Sequence, residues 1–359
     1  MSLRRPLLLV IGLFVPLVGQ GAEADPGAHW EHAADGWSQE KLALAKADAD
    51  RIKATAFLVA EHGKIVAEWG DTKRPVYLHS IRKSLLSSLY GIAVARKQIS
   101  LDETLASLDI DDKPPNLTND EKQARIGDLL KARSGVYHKA ADEAPGTDKD
   151  RPARGSHPRD TFWYYNNWDF NALGTIYQMK TGYGVFDAFY RDIARPLQME
   201  DYHTTDCRYG YARESIYPAY RMSLSARDLA RFGLLYLRGG KWNGKQIVPA
   251  EWVRDSLKPW SSAGGGLGYG YLWWLGLGNV QFKTELGPGS FSGRGNGGQF
   301  LLGAPGLDLI VVQLYDTTKP GAGDITKDFG DLLRLVLAAH SGTTQPNKAE
   351  PTSSNTPGP

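Results

Sequence analysis

The segment HSIRKSLLSSLYGIAVARKQIS, residues 79–100, sets Lys83 three positions after Ser80 at the mouth of a long apolar run. Residues three apart share a helix face, so this hydroxyl and this amine can touch in the first turn. Leu85, Leu86, Leu89, Ile92, Ala93 and Val94 leave that helix little polar surface. Desolvation and the positive end of the helix dipole both favour a neutral lysine. A neutral amine beside a hydroxyl activates a weak nucleophile by taking its proton. The competing reading is an N-cap serine followed by a lysine that snorkels to solvent, and the segment alone leaves both open.

Ser-x-x-Lys occurs again at Ser38 to Lys41, ahead of the polar, alanine-rich LALAKADADR. There the serine is expected to cap a surface helix while the lysine faces water. A second cluster, FWYYNNWDFNALG (162–174), crowds two tyrosines and two asparagines before a helical segment. Aromatic crowding of this kind equally serves core packing. Cys207 is the single cysteine, which excludes an intramolecular disulfide, and a small packed thiol is favoured over a nucleophile. His29 and His32 are read as a solvated pair rather than a metal site, and no metal is expected.

These side chains need a scaffold. ATAFLVAEHGKIVAEWG (54–70) gives two alternating runs about His62-Gly63, a hairpin signal. IGDLLKAR (126–133), FNALGTIYQMKTG (170–182), VFDAFYRDIARPL (185–197) and SARDLARFGLLYLRGG (225–240) read as helices, the last with Ser225 as N-cap. After Gly264, the segments YGYLWWLGL (269–277), NVQFKTEL (279–286), GGQFLLGAP (297–305) and LDLIVVQLYD (307–316) read as strands of an antiparallel sheet. ITKDFGDLLRLVLAAH (325–340) reads as a closing helix. If the early hairpin joins the late strands, a sheet lobe (about 45–75 and 265–340) holds an inserted helical lobe (about 76–264). A pocket is expected in the cleft between them, where the Ser80 helix begins.

The 42 basic and 40 acidic side chains nearly cancel, and no basic block tracks a phosphate backbone, so nucleic acid is not an expected partner. Arg4 and Arg5 precede the apolar run Leu7 to Val18, and Ala22-Glu23-Ala24 offers small residues for cleavage. Residues 1–24 therefore read as an export signal, giving a periplasmic or secreted protein. The apolar run is broken by Pro16 and falls short of the ~20 residues that span a bilayer, so no stable membrane insertion is expected after cleavage. Residues 25–44 form an N-terminal segment, 45–340 the main domain, and the Pro/Ser/Thr-rich 341–359 a disordered tail. G-x-S-x-G and H-E-x-x-H do not occur. Gly293-x-Gly295-x-x-Gly298 matches a dinucleotide fingerprint, but it lies between strands with no phosphate-binding helix behind it, and no cofactor is expected.

Tyr165-Asn166-Asn167, followed by Leu173-Gly174, resembles the Tyr-x-Asn motif of the serine hydrolases related to class C β-lactamases, D-alanyl-D-alanine carboxypeptidases and 6-aminohexanoate-dimer hydrolases. Tyr164-Tyr165-Asn166 also fits the pattern, one residue too far from Leu173-Gly174. ARIGDLLKARSGVYH (124–138), YRMSLSARDLARFGLLYLRGGKW (220–242) and YGYLWW (269–274) are similar to family segments in the same order, over roughly residues 45–340. The resemblance implies an α+β fold in which an antiparallel sheet is flanked by helices. It implies Ser80 as nucleophile, Lys83 as its proton partner and Tyr165 as the phenol that carries protons to the leaving group. Asn167 would orient the lysine or the substrate amide. The third motif departs from the Lys-Thr-Gly of β-lactamases and carboxypeptidases: the segment here is Gly293-Arg294-Gly295-Asn296-Gly297-Gly298-Gln299, similar to the Gly-Arg-Gly segment of aminohexanoate-oligomer hydrolases. The backbone N–H groups of Ser80 and Asn296 would form the oxyanion hole. Arg294 would stand in for the missing lysine on the substrate, with a different geometry.

The expectation is an exported serine hydrolase that cleaves a small-molecule amide or ester through a Ser80 acyl-enzyme. β-Lactamase or D-alanyl-D-alanine carboxypeptidase activity is the enzymatic alternative, weakened by the missing lysine. A ligand-binding or sensor protein is the alternative without turnover. Trp163, Trp168, Tyr269, Tyr271 and Trp273 either line an aromatic pocket or pack between sheet and helices.

Overall fold

Strict alternation along the strands divides the interior in two. In Ala56–Glu61, the side chains of Ala56, Leu58 and Ala60 join one apolar core, and Phe57 and Val59 join another. Leu309–Leu314 does the same, sending Ile310, Val312 and Leu314 one way and Leu309 and Val311 the other. Both faces of these strands are buried, which is why they read as near-continuous apolar runs.

The computed structural model describes residues 25–144, 146–318 and 325–341. The expected export signal, and the expected tail beyond Ser341, lie outside the described residues. The main sheet has eight strands in the spatial order Lys64–Gly70, Ala56–Glu61, Leu309–Leu314, Gln299–Ala304, Phe291–Gly295, Trp274–Gly276, Leu267–Tyr269 and Ser261–Gly264. Every pairing in it is antiparallel. The first hairpin turns at His62 and Gly63 with φ of 51° and 73°, the left-handed pair that matches the twist of its strands.

Helices Gln39–Arg51 and Ile325–Ala339 pack together over one face, burying Leu42, Ala45 and Ala49 with Phe329, Leu332, Leu333 and Val336. The first of these straddles the boundary at 44/45 and is capped by Ser38, whose Oγ accepts from Lys41 N. The other face carries Ala226–Leu237, capped by Ser225, and beyond it Arg82–Ala95 and Asn167–Thr181. Among the described residues no helix is long and apolar enough to cross a membrane.

Three strand expectations change. Residues 269–277 are not one strand: Leu267–Tyr269 and Trp274–Gly276 pair with each other, because Leu272 takes φ 65° and reverses the chain. Residues 279–286 do not enter the main sheet. Phe282 and Lys283, with φ of 51° and 56°, fold them into a separate hairpin of Val280–Gln281 with Thr284–Glu285. The sheet also begins earlier than residue 265, at Ser261–Gly264.

Candidate active site

Ser80 lies in the 3₁₀ turn His79–Ile81 that leads into helix Arg82–Ala95, and no side-chain cap bond is made at either start. The capping alternative for Ser80 is thereby overturned. Lys83 does not snorkel: it is 2% exposed, and its Nζ stands 2.8 Å from Ser80 Oγ and 2.8 Å from Tyr165 Oη. The rings of Tyr165 and Phe170 enclose the amine, with centroids 4.6 and 4.8 Å away. Burial, reinforced by the Arg82 charge, holds the lysine well below its ordinary value. Burial pushes Tyr165 up to about 12 against the opposing effects of Ser80 and Arg82. These opposite shifts favour a neutral amine beside a protonated phenol, which can respectively accept and relay a proton.

Tyr165 is fixed by aromatic packing, stacked on Trp274 at 5.4 Å and edge-on to Tyr269 at 6.0 Å. Of the aromatic residues singled out in the sequence, Trp168, Tyr269, Tyr271 and Trp273 are buried, and Trp163 packs on Tyr269 and Trp274. Trp274, passed over in that reading, is the indole that lines the cleft. Alternation decides this: Trp274 pairs with Ser292, while Trp273 turns into the core.

The two adjacent asparagines have different partners. Asn166 caps helix Asn167–Thr181 by accepting from Trp168 N at 3.2 Å, and it donates to Val136 O and Asp169 Oδ1. Asn167 lines the cavity with Ser80 and donates to Asp142 O at 3.2 Å, while its Oδ1 has no partner among the described residues. Tyr164 packs on Tyr137 at 5.7 Å and not on Lys83, so the geometry selects Tyr165-x-Asn167 over the Tyr164 register.

Opposite Ser80 runs the strand Phe291–Gly295. A Cβ on Gly295 would stand 2.3 Å from Leu78 O, and one on Gly293 would stand 3.2 Å from Ile81 Cγ2. These glycines let the strand lie directly against the turn that carries Ser80. Asn296 follows and lines the cleft, and Gly297 and Gly298, with φ of 78° and 94°, turn the chain into Gln299–Ala304.

Two hollows meet at Ser80, Ala144, Tyr165 and Asn296, of about 390 Å³ and about 480 Å³. The first adds Asp142, Arg221 and Asn167. The second adds Trp274 and Arg294. Arg294 donates to Ser292 Oγ at 3.0 Å and to Gln281 Oε1 at 2.9 Å, and lies 4.2 Å over the Phe282 ring. Burial lowers it to about 10, and among the described residues no carboxylate pairs with it. A desolvated guanidinium without a counter-charge favours an anionic ligand.

Sequence reasoning missed Asp142, Arg221 and His79 on the cleft wall. Arg221 grips Asp142 through Nε and Nη2, and Tyr77 donates to the same carboxylate at 2.9 Å. Only His79, chain neighbour of Ser80, carried a local signal. It takes φ 48°, a left-handed conformation costing a non-glycine residue about 1 kcal/mol. A larger hollow of about 600 Å³ contains Cys207 and His203 and shares no residue with the other two. Burial raises the Cys207 thiol, which leaves it protonated and a poor nucleophile. His29 and His32 face different carboxylates, Glu200 and Glu68. Among the described residues no group of three or more His, Cys, Asp and Glu could hold a metal ion.

A family model described as Beta-lactamase matches residues 40–335. Among solved structures, a candidate 6-aminohexanoate-dimer hydrolase from Bacillus anthracis is similar over 87% of this chain and 88% of its own, at 20% identity and a TM-score of 0.65. EstCE1, described as a hydrolase with promiscuous acyltransferase activity, is similar over 84% and 98% respectively, at 15% identity and a TM-score of 0.61. A class C β-lactamase mutant covers 86% of this chain and 99% of its own, at 14% identity and a TM-score of 0.61. At these identities the likeness shows the fold. No curated protein matches the chain.

Proposed function

We propose, from the premise that this chain belongs to the β-lactamase family of serine hydrolases, that it hydrolyses a small amide or ester carrying an anionic group, through an acyl-enzyme on Ser80. The observation that carries this reading is the amine of Lys83, buried and 2.8 Å from both hydroxyls.

Lys83 takes the Ser80 proton as Oγ attacks the carbonyl carbon, and the negative oxygen settles between the N–H groups of Ser80 and Asn296. Tyr165 gives its proton to the leaving nitrogen or oxygen as that bond breaks, and Lys83 returns a proton to Tyr165 across their 2.8 Å contact. Water then attacks the acyl ester. Its proton passes back through the same pair to Ser80 as the carboxylic acid departs. Asn167 supports binding of a substrate amide on one side of Ser80. Arg294, over Phe282 and beside Trp274 and with no carboxylate partner among the described residues, supports binding of a carboxylate on the other.

Intact-protein mass spectrometry after a fluorophosphonate probe tests the nucleophile. One adduct in the wild type and none in Ser80→Ala is the expected result. A folded wild type without an adduct would favour a binding or sensor role instead. Comparing a p-nitrophenyl ester, a short linear amide ending in a carboxylate and nitrocefin separates the substrate branches, and turnover of nitrocefin alone would favour β-lactamase activity. Arg294→Met should raise KM for the anionic amide by roughly tenfold or more while leaving a neutral ester within about twofold.

We also propose export to the periplasm or medium, supported by Arg4, Arg5 and the apolar run to Val18. An exported product whose mass includes residues 1–24 would contradict cleavage near Asp25.

A further inference from the structure

The reaction proposed above needs the N–H of Ser80 and the N–H of Asn296 at a fixed separation, although they sit on a turn and a strand end far apart in sequence. A side-chain link among the described residues runs between these two places. His79 Nε2 lies 3.0 Å from Thr317 Oγ1. The methyl of Thr317 covers Gly297, where a Cβ would come within 2.4 Å of Thr317 Cγ2.

Both ends of the link are held. Asp316, beside Thr317, donates its N–H to Thr55 Oγ1 at 2.7 Å and accepts from Arg74 Nη2 at 2.8 Å and from Thr318 Oγ1 at 2.6 Å. The buried Gln299 amide donates to Tyr315 O at 2.7 Å and accepts from Tyr315 N at 2.9 Å, and Gln313 Nε2 donates to Gly298 O at 3.2 Å. The turn at Asn296–Gly298 is therefore fastened to residues 313–317. On the other side, the His79 ring lies 4.1 Å from that of Tyr77, and its backbone keeps the left-handed φ of 48° directly before Ser80. Strain of this kind persists where surrounding contacts over-determine it, and it clusters at functional sites.

We propose that His79 is a positioning residue for the oxyanion hole: through Thr317 it sets the distance between the Ser80 and Asn296 N–H groups. Burial, helped by the Arg82 and Arg221 charges and opposed by Asp142, holds its imidazole down at about 4, so the ring meets the Thr317 hydroxyl in its neutral form. The proposal rests on the acyl-enzyme reading, and it acts on the transition state, where the oxyanion forms, more than on ground-state binding.

The test is steady-state kinetics on a p-nitrophenyl ester for His79→Ala, Thr317→Val and the double variant, with melting temperatures and Ser80 labelling recorded alongside. Each single variant should lose roughly tenfold in kcat with KM within about twofold. The double variant should be no slower than the worse single, because the two side chains act as one link. Thr317→Ser and His79→Gln should recover most of the loss. Unchanged kcat in Thr317→Val, losses that multiply in the double variant, or a rise in KM alone would overturn the proposal. Thr317 is exposed and valine is its isostere, so that variant decides the matter even where His79→Ala fails to fold. A wild type that the fluorophosphonate does not label would overturn the acyl-enzyme reading and this proposal with it. A labelled wild type with insensitive variants overturns the proposal alone.

Discussion

Lys83 Nζ and Tyr165 Oη lie 2.8 Å apart across 82 residues of chain, inside a cage of aromatic rings, and the same amine reaches Ser80 Oγ at the same distance. Burial moves the two groups in opposite directions, the amine down and the phenol up, which favours the amine as the base of the pair.

That assignment predicts the pH profile. Below the lowered value of Lys83 the amine is protonated and cannot accept the Ser80 proton, so kcat/KM falls on the acid side. No alkaline loss from Tyr165 is expected until pH approaches about 12. Removing the neighbouring positive charge with Arg82→Met should move the acid limb to higher pH, since that charge helps to hold the lysine down. An acid limb that stays in place in folded Arg82→Met would remove Arg82 from the account.

Lys83 should also lower stability. Between its folded value and 10.5 the unfolded chain binds more protons than the native one, so stability rises with pH through that window, and the penalty is full below it. Lys83→Met removes the ionisable group while filling the space. Expected outcomes are a kcat loss of at least about 10³-fold, on the scale of losing an essential catalytic group, and a melting temperature at pH 6 no lower than wild type. A large loss of stability would mean that the bonds to Ser80 and Tyr165 outweigh the cost of burying the amine.

The two site glycines should differ in sensitivity. Gly295→Ala brings Cβ to 2.3 Å from Leu78 O, a backbone atom that cannot step aside, and should cost about 2 kcal/mol or more along with most activity. Gly293→Ala meets Ile81 Cγ2 at 3.2 Å, which small adjustments can relieve, and should cost about 1 kcal/mol or less. Chemical unfolding with parallel assays distinguishes the two. Equal effects would mean that the strand is not pressed against the Ser80 turn.

Asn166 and Asn167 should separate stability from activity. Asn166→Ala removes a helix cap and the bonds to Val136 and Asp169, and should cost about 1–2 kcal/mol. Asn167→Ala loses one bond to Asp142 O, should leave the melting temperature within a few degrees, and should lower kcat/KM roughly tenfold for an amide. The opposite pattern would reverse the choice of register for the Tyr-x-Asn motif.

What the sequence by itself determined was local. Helix geometry alone brings residues three apart together, so the meeting of Ser80 and Lys83 was legible, as were the caps at Ser38 and Ser225 and the hairpin at His62-Gly63. Apolar runs announced the strands Ala56–Glu61, Gln299–Ala304 and Leu309–Leu314, because each must bury both faces. Tertiary structure decided the rest. Whether Lys83 snorkels or stays buried depends on Tyr165 and Phe170, which no local pattern brings to it. That Trp274 rather than Trp273 faces the cleft follows from its register against Ser292, and a one-residue slip would exchange them. The turn at Leu272 and the detached hairpin at 280–285 escaped the reading because non-glycine residues adopt left-handed backbone there, a choice that packing imposes and composition does not announce. Arg294 meets no counter-charge among the described residues for a similar reason: charge balance is spread over the whole chain, whereas pairing is settled only by which side chains the fold brings within reach.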